Sequence, residues 1–391
     1  MSHLSYMEKL LDGVEVEWKP LGEVARFING RAYKKPELLE QGKYPVLRVG
    51  NFFTNANWYY SDLELDEDKY CDNGDLLYAW SASFGPRIWE GGKVIYHYHI
   101  WKVIPNAGQI LKKFLFYLLE WDTKALQGEH ATGSTMMHVS KGAIESRLVP
   151  IPCPDNPEKS LAIQAEIVRI LDAFTAMTAE LTAELNLRKK QYNYYRDQLL
   201  SFEEGDVEWK TLGELAENLD SKRKPITSGL REAGDIPYYG ASGVVDYVKD
   251  YIFDGDYLLV SEDGANLLAR NTPIAFSISG KTWVNNHAHV LKFETYAERK
   301  YVEYYLNSID LTPYISGAAQ PKLNKKNLES INIPNPAPKE KERIVAILDK
   351  FDSLTCSIKE GLPREIELRQ KQYEYYRDLL LSFPKSEEAV A

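Results

Sequence analysis

Two pairs of histidines have a spacing that suggests a chemistry. His97 and His99 are separated by one residue, and so are His287 and His289. Residues two apart on a β-strand share a face, which suits metal ligation. No cysteine or carboxylate with ligand spacing recurs beside both pairs. We therefore expect these histidines to pack on a strand face or touch a polar ligand, and we expect no metal site.

Basic and polar residues mixed with aromatic residues form a second pattern. Arg and Lys fix the phosphate backbone of DNA, whereas Asn, Gln, Ser and His reach base edges. The DNA-contact candidates of the first half are Arg31, Tyr33, Lys34, Lys35, Arg48, Asn51, Ser81, Ser83, Arg87, His97, His99, Ser134, Thr135, His138 and Lys141. Those of the second half are Ser221, Lys222, Arg223, Tyr239, Ser242, Ser261, Asn266, Asn286, His287, His289, Gln320, Lys322, Asn324 and Lys325. Each basic run could be only a solvated face, but polar loops recur at equivalent places in both halves, which favours a binding function.

Signatures of enzymes that act alone are missing from the sequence. It contains no GxxxxGK[ST] loop, no GxGxxG after a strand, and neither GxSxG nor HExxH. These motifs carry phosphate binding, dinucleotide binding, nucleophilic hydrolysis and zinc proteolysis, respectively. We expect no catalytic residues and no cofactor in this chain.

Composition limits the class of protein. With 391 residues, 44% of them hydrophobic, the chain should form two or more globular domains. Its three cysteines are far apart, which predicts reduced thiols and a cytoplasmic protein, and no apolar run predicts a membrane segment. The net charge of −10 argues against binding nucleic acid through bulk charge alone.

A repeated helical motif organises the elements that carry these residues. RKKQYNYYRDQLLSF (188–202) returns as RQKQYEYYRDLLLSF (369–383), with twelve of fifteen positions identical. Apolar residues before both copies alternate in steps of four and three, which predicts two coiled-coil helices whose simplest partners are each other. Four extra residues in the second copy form a stutter, and Gly361 and Pro363 there could divide that helix in two.

The repeat extends to the domains themselves. VEWKPLGEVA (16–25) returns as VEWKTLGELA (207–216). Short β-like runs with one helix follow each copy, among them the run Tyr257 to Val260 and the predicted helix Glu298 to Ser308. We predict an α+β fold with domains at 1–155 and 205–337, long helices at 156–204 and 338–384, and a disordered tail at 385–391. Proline-rich segments at 149–152 and 333–336 should be rigid linkers into the helices.

The duplicated halves, the QYxYYRDxLLSF helices and the VEWKxLGE openings resemble the specificity subunit of type I restriction-modification systems, over essentially the whole chain. NNHAHVL (285–291) and the GDLL and GDYLLVS strands are similar to that family too. The resemblance implies two mixed α/β target recognition domains on an antiparallel two-helix coiled coil, with pseudo-twofold symmetry. It implies that each domain binds one half of a split, asymmetric site in double-stranded DNA. It also implies two methyltransferase subunits, restriction subunits, and S-adenosylmethionine, ATP and magnesium in those partners.

Two other interpretations stay open at this point. The chain could be the recognition subunit of a combined restriction-and-modification enzyme that cuts outside its site. It could also be a scaffold whose two divergent domains bind proteins. Neighbouring genes would separate the first alternative, and the absence of sequence enrichment in DNA binding would favour the second.

Overall fold

Short strands and helices alternate along the chain in two similar series. The computed structural model describes residues 6–53, 56–81, 85–129, 138–203, 205–317, 320–357 and 359–384. The chain divides into two compact units. The first unit is Met1–Glu180 with Glu367–Ala391, and the second is Leu181–Ile366. Each unit therefore contains the end of a helix from the other half of the repeat.

The first series runs to the end of the first long helix. Its elements are α1 (Tyr6–Leu11), β1 (Val16–Pro20), α2 (Leu21–Val24), β2 (Ala25–Asn29), β3 (Tyr44–Leu47), α3 (Val49–Phe53), β4 (Tyr59–Ser61), β5 (Tyr70–Cys71), β6 (Leu76–Ala79), β7 (Gly85–Ile88), β8 (Val94–Tyr96), β9 (Ile100–Pro105), α4 (Lys112–Glu129), α5 (Lys141–Glu145), β10 (Leu148–Pro152) and α6 (Pro157–Leu200). Short 3₁₀ turns lie at Lys35–Glu37 and Glu67–Lys69.

The second series repeats this order. Its elements are β11 (Glu208–Thr211), α7 (Leu212–Leu215), β12 (Glu217–Asn218), β13 (Ala233–Gly240), β14 (Gly243–Val248), β15 (Phe253–Asp254), β16 (Tyr257–Ser261), α8 (Asn266–Ala269), β17 (Ala275–Ile278), β18 (Lys281–Val284), β19 (Ala288–Lys292), α9 (Tyr296–Ser308), α10 (Lys325–Glu329), β20 (Asn332–Asn335), α11 (Pro338–Thr355) and α12 (Gly361–Leu381). Here the 3₁₀ turns are Asp220–Lys222, Ser228–Leu230 and Thr312–Tyr314.

Both series build the same sheets. In the first unit the strand orders are β2-β9-β6-β7 and β4-β3-β8-β5, and in the second they are β12-β19-β16-β17 and β14-β13-β18-β15. The first sheet of each unit is antiparallel, whereas β3 with β8, and β13 with β18, pair in parallel. The fold class is therefore α+β, with two sheet-based domains whose topology is the same although their sequences diverge.

Central strands are buried on both faces, which explains their continuous apolar sequences. All four residues of β6 are buried, and so are Leu258 to Ser261 of β16. Helix α4 covers the first sheet with Phe114 and Leu115, and α9 covers the second with Tyr301 and Val302.

The proline-rich segments expected to be linkers are strands. β10 pairs antiparallel with β1, and β20 with β11. The amide of Cys153 donates to the carbonyl of Glu15, so alternate amides of β10 face β1 and the nitrogens of Pro150 and Pro152 face away from it. Proline fits an edge strand at such positions because no N–H is needed there.

The second long helix is two helices, α11 and α12, as the glycine and proline suggested. The break lies before Gly361, whose φ is +75° and whose added Cβ would lie 2.3 Å from the carbonyl oxygen of Ser353. Pro363 stands in the first turn of α12, where its missing N–H costs nothing. Gly361 therefore forms the bend, and Pro363 fits the first turn of the next helix.

Matching aromatic contacts connect helices inside each unit. In the first unit, Phe174 of α6 stacks on Tyr376 of α12, with ring centroids 5.2 Å apart. In the second, Phe351 of α11 stacks on Tyr195 of α6 at 5.7 Å. The two tyrosines occupy the same place in the repeated motif, and the two phenylalanines the same place in the helix that precedes it.

Candidate nucleic-acid interface

A turn before β9 brings three segments of the first unit together. The amide of His97 donates to the carbonyl of Leu47, and the amide of Tyr98 to that of Arg31. The carbonyl of His99 accepts from the amide of Trp80. Candidates from the loops after β2, β3 and β6 are thereby placed around one turn.

The side chains at that turn form an aromatic–imidazole cluster. The ring of Trp80 lies 4.9 Å from that of His99 and 5.9 Å from that of His138, between centroids. His97 stacks on Tyr33 at 6.3 Å. Burial, with the charges of His99 and Arg48, lowers the pKa of His97 to about 4. Burial, and next the charge of His138, also lowers the pKa of His99. At neutral pH the half-buried ring of His97 therefore stacks without a charge.

Most cations of the first unit already have partners. Arg31 binds both carboxylate oxygens of Glu37, at 3.1 and 2.8 Å. Arg48 lies 4.3 Å from the ring centroid of Tyr59, and Arg87 lies over Phe52. Lys34, Lys35 and Lys141 are exposed, with Lys141 near Glu145.

The polar candidates of this unit differ in access. Asn51 donates to the carbonyl of Asn57, and Ser81 is buried. His138, which pairs with Ser81 in an isolated bridge, is exposed. Ser83, Ser134 and Thr135 lie outside the described residues. Of this group, His138 is the candidate whose side chain is best placed to meet a ligand.

Backbone hydrogen bonds show which residues of the two units are equivalent. In the second unit, the amide of Glu262 donates to the carbonyl of His287, as the amide of Trp80 does to the carbonyl of His99. The amide of Leu323 donates to the carbonyl of Glu262, as that of Val139 does to the carbonyl of Trp80. The backbone of Asp263 forms an isolated β-bridge with that of Lys322, as Ser81 does with His138. We call these four positions the strand-end junction: Trp80, Ser81, His99 and His138 in the first unit, Glu262, Asp263, His287 and Lys322 in the second.

The two His-x-His pairs are consequently not equivalent. His287 corresponds to His99, and His289 corresponds to Trp101, which is also buried. The pairs are therefore offset by two residues, and their recurrence in the sequence does not mark a shared site.

His289 is the centre of a buried ionic network. Its Nδ1 lies 2.6 Å from Asp220 and its Nε2 lies 2.7 Å from the carbonyl oxygen of Leu323. Arg223 donates to Glu262 at 2.6 Å and to the carbonyl of Ala288 at 2.8 Å. The network ties the turn at Asp220–Lys222 to the loop at Leu323. Its residues thus position the neighbouring loops.

Charges within the network compensate one another. Burial opposes ionisation of both carboxyl groups, but the hydrogen bond from His289 lowers the pKa of Asp220, and those from Arg223 and Lys322 lower that of Glu262. Asp220, Glu262 and His289 could together ligate a metal ion, since their donor atoms lie within 4.8 Å of one another. Arg223 and Lys322 already occupy Glu262, which favours an ion-pair network over a metal site.

A cleft of about 890 Å³ adjoins the junction of the second unit. Its walls include His287, Gln320 and Lys322, together with Asp263 and the small apolar residues around Ala265. The carboxylate of Asp263 lies 2.9 Å from Nδ1 of His287, and Lys322 lies 3.0 Å from Glu262. Three of the predicted contact residues thus share one concave surface.

The remaining candidates of the second unit fall into two groups. Exposed residues are Ser221, Lys222, Asn286 and Lys325. Residues engaged inside the unit are Ser261, which donates to Ala241, Asn266, which pairs with Thr272, and Asn324, which caps α10. Tyr239 is half-buried, and Ser242 is exposed. The second group therefore shapes loops, as Arg223 and His289 do.

Sequence reasoning missed Trp80, Tyr98, Asp220, Glu262 and Asp263. Trp80 and Glu262 directly follow the equivalent β6 and β16 strands, so the residue after the strand that follows each Gly-Asp was the available signal. Alignment of the two His-x-His pairs would instead match the two units in a register that is wrong by two residues.

Comparisons with known proteins agree with a duplicated domain. The family described as "Type I restriction modification DNA specificity domain" matches residues 13–188 and again 204–368. The chain is 41% identical to the type I restriction enzyme EcoR124I/EcoR124II specificity subunit of Escherichia coli, covering 99% of both chains. It is 37% identical to the EcoprrI specificity subunit of Escherichia coli, over 92% of this chain and 93% of that one.

Solved structures support the fold. A type I restriction-modification system S subunit from M. genitalium superposes with a TM-score of 0.60 at 16% identity, covering 96% of this chain and 98% of that one. A chain from a study of complex assembly in the type I R-M system gives 0.55 at 16%, covering 94% and 97%. The repeated topology and the two family matches define a protein with two copies of a DNA specificity domain. This chain belongs to the family of type I restriction-modification DNA specificity subunits, so the predicted family is confirmed, and with it a subunit that is not itself the enzyme.

Proposed function

We propose that this protein is the non-catalytic subunit that gives a type I restriction-modification complex its DNA sequence specificity. Each of two recognition domains, at 1–155 and 205–337, binds one half of a bipartite, asymmetric site in double-stranded DNA. The observation that carries the proposal is one topology built twice, with different side chains at the strand-end junction. Two domains of the same topology with different proposed contact residues suit a DNA site whose two halves differ in sequence.

Contact residues are proposed from exposure and chemistry. Cations that reach the phosphate backbone are Lys34, Lys35, Lys141, Lys222 and Lys325, which are exposed in the structure. We assign to base edges the side chains of His99, His138, Asn286, His287, Gln320 and Lys322. These local cations offset the acidic total, because phosphate contacts depend on nearby charges more than on net charge.

The helices would hold the two domains apart as an antiparallel coiled coil with a pseudo-twofold axis. Two observations support this arrangement, the Phe174–Tyr376 stack and the Phe351–Tyr195 stack. In each stack, a tyrosine of the repeated motif from one half of the chain packs on a phenylalanine of the long helix from the other half. Helix α6 has 44 residues and is therefore about 66 Å long at about 1.5 Å per residue. That length spans more than one turn of DNA, which is about 34–36 Å.

Partners follow from the family. The relatives are specificity subunits of restriction enzymes. We propose two methyltransferase subunits that use S-adenosylmethionine and restriction subunits that use ATP and magnesium, in the cytoplasm. None of the helices in the described ranges is long and apolar enough to cross a membrane.

Selection of bound duplexes from a random pool tests the function. The full chain, assembled with the methyltransferase subunits encoded beside it, should enrich two short sequences at a fixed separation, with affinity that falls as salt rises. Binding without sequence enrichment would support the protein-binding scaffold instead. Cleavage outside the selected site by a fused partner would identify the combined restriction-and-modification enzyme.

A further inference from the structure

The strand-end junction keeps its backbone and exchanges its side chains between the two units. The same amide–carbonyl pairs hold Trp80 to His99 and Glu262 to His287. In the first unit, aromatic and imidazole rings meet there, whereas in the second Asp263 is hydrogen-bonded to His287 and Lys322 forms an ion pair with Glu262. A position with a fixed frame and variable chemistry is suited to setting specificity.

Asp263 fixes the tautomer of His287. An ionised carboxylate only accepts hydrogen bonds, and both oxygens of Asp263 lie within 3.0 Å of Nδ1. The proton of the neutral ring is therefore on Nδ1, which leaves a lone pair on Nε2. The His287 side chain is 52% exposed, and no hydrogen bond to Nε2 occurs within the described part of the chain.

The cleft beside His287 fits the edge of a base. Ala265, Leu268 and Ala269 form an apolar wall, and Gln320 and Lys322 add polar groups. In the major groove, adenine and cytosine present an exocyclic amino group, whereas guanine and thymine present acceptors at the corresponding place. An Nε2 lone pair accepts from the first kind of base and is repelled by the second.

We propose that His287, oriented by Asp263, determines one base of the second half-site by accepting a hydrogen bond from the exocyclic amino group of adenine or cytosine. The proposal rests on the proposed function and assigns a specificity role within it. Lys322, held by Glu262 at the rim, contributes positive charge towards the DNA. His99 occupies the equivalent position and determines a base of the first half-site within its aromatic surroundings.

Base preferences of variants test this assignment. The full chain with its methyltransferase partner would be incubated with duplexes randomised across both half-sites, and the bound DNA sequenced. His287→Ala should reduce the preference for an amino-bearing base at one position of the second half-site by about tenfold, with the first half unchanged. His287→Arg should shift that position to guanine, because arginine only donates. His99→Ala should alter a position of the first half-site alone.

One further variant tests the orientation of the His287 ring, and another is a control. Asp263→Ala keeps the imidazole but frees its tautomer, so the same position should accept more bases. Lys249→Ala removes a cation in a solvent-exposed ion pair with Glu232, so every base preference should remain. Circular dichroism melting would confirm that the His287 and Asp263 variants fold.

Unchanged preferences in folded His287→Ala would overturn the proposal. So would an equal loss at every position, which indicates a phosphate contact. If the unchanged chain enriched no bipartite sequence, the proposed function would fail and this inference with it. Enrichment by the unchanged chain with no effect of His287 would refute the inference alone.

Discussion

At the scale of single residues, the two domains have the same backbone arrangement but side chains of different chemistry at equivalent positions. Trp101 and His289 occupy equivalent buried positions, yet one fills space with an indole and the other requires Asp220 and a backbone carbonyl as partners. A buried polar group costs free energy unless it is hydrogen-bonded, so His289 and its neighbours had to change together. Substitutions in such a network should behave as a group.

Arg223→Ala should strongly destabilise the second unit. The change leaves Glu262 and Asp220 buried without their guanidinium partner, which costs about 3–5 kcal/mol in comparable buried pairs. Urea unfolding, followed by amide exchange in residues 205–337, measures the loss. Lys249→Ala, which breaks an exposed ion pair, should have little effect on stability. Equal effects of the two variants would contradict the structural role of Arg223.

His97 should make the first unit less stable as pH falls. Its pKa is about 4 in the folded chain and 6.5 when exposed, so the unfolded state binds more protons between those values. Its contribution to stability is present above pH 6.5 and is lost as pH falls towards 4. Urea midpoints at pH 7 and pH 5 measure this loss, and His97→Phe, which keeps the stacking on Tyr33, should reduce the difference. A pH dependence identical in both proteins would refute it.

At the scale of elements, the hydrophobic pattern predicted short strands with one helix in each half, together with the long helices. The run Tyr257 to Val260 became β16, and Glu298 to Ser308 lies within α9. The linkers were predicted wrongly because proline signals a stop to helices, whereas an edge strand accepts it at alternate positions. Pairing of β1 with β10 connects residues more than a hundred positions apart, which local sequence does not encode.

Gly361→Ala should destabilise the connection between α11 and α12. The residue has φ +75°, and a Cβ would lie 2.3 Å from the carbonyl oxygen of Ser353 and 2.8 Å from that of Leu354. Such strain costs on the order of 1–3 kcal/mol. Thermal unfolding of the full chain measures it. Gly92→Ala, where a Cβ meets nothing within 4 Å, is the matched control and should have little effect. If Gly361→Ala left the thermal unfolding unchanged, the break between the two helices would tolerate a side chain.

At the scale of the whole molecule, duplication gives two recognition domains of one topology. The strand orders of the two units correspond strand for strand, although their sequences between the shared motifs hardly match. The proposed contact residues lie on loops that the sheets hold in place, and such loops tolerate change because few of their side chains support the core. This arrangement favours exchange of one domain without damage to the other.

Exchange of residues 218–330 for the equivalent segment of another specificity subunit should change only the second half of the target. The exchanged segment includes β13–β19 and the junction around His287, whereas the first unit and the repeated helix motifs keep their sequences. Methylation-sensitive sequencing of DNA from cells that carry the complex would reveal both halves of the modified site. An altered first half, or an unaltered second half, would contradict the modular interpretation.

The sequence by itself determined the family, the duplication, the α+β class and the positions of the helices, because these depend on repeats and on local periodicity. Only the tertiary structure decided which residues are equivalent and which are accessible. Backbone pairing across β9 and β19 matched His287 to His99 and placed His289 in the core. A shift of two residues keeps the same face of a strand, so the pattern of side chains cannot reveal it, whereas hydrogen bonds between strands fix the register.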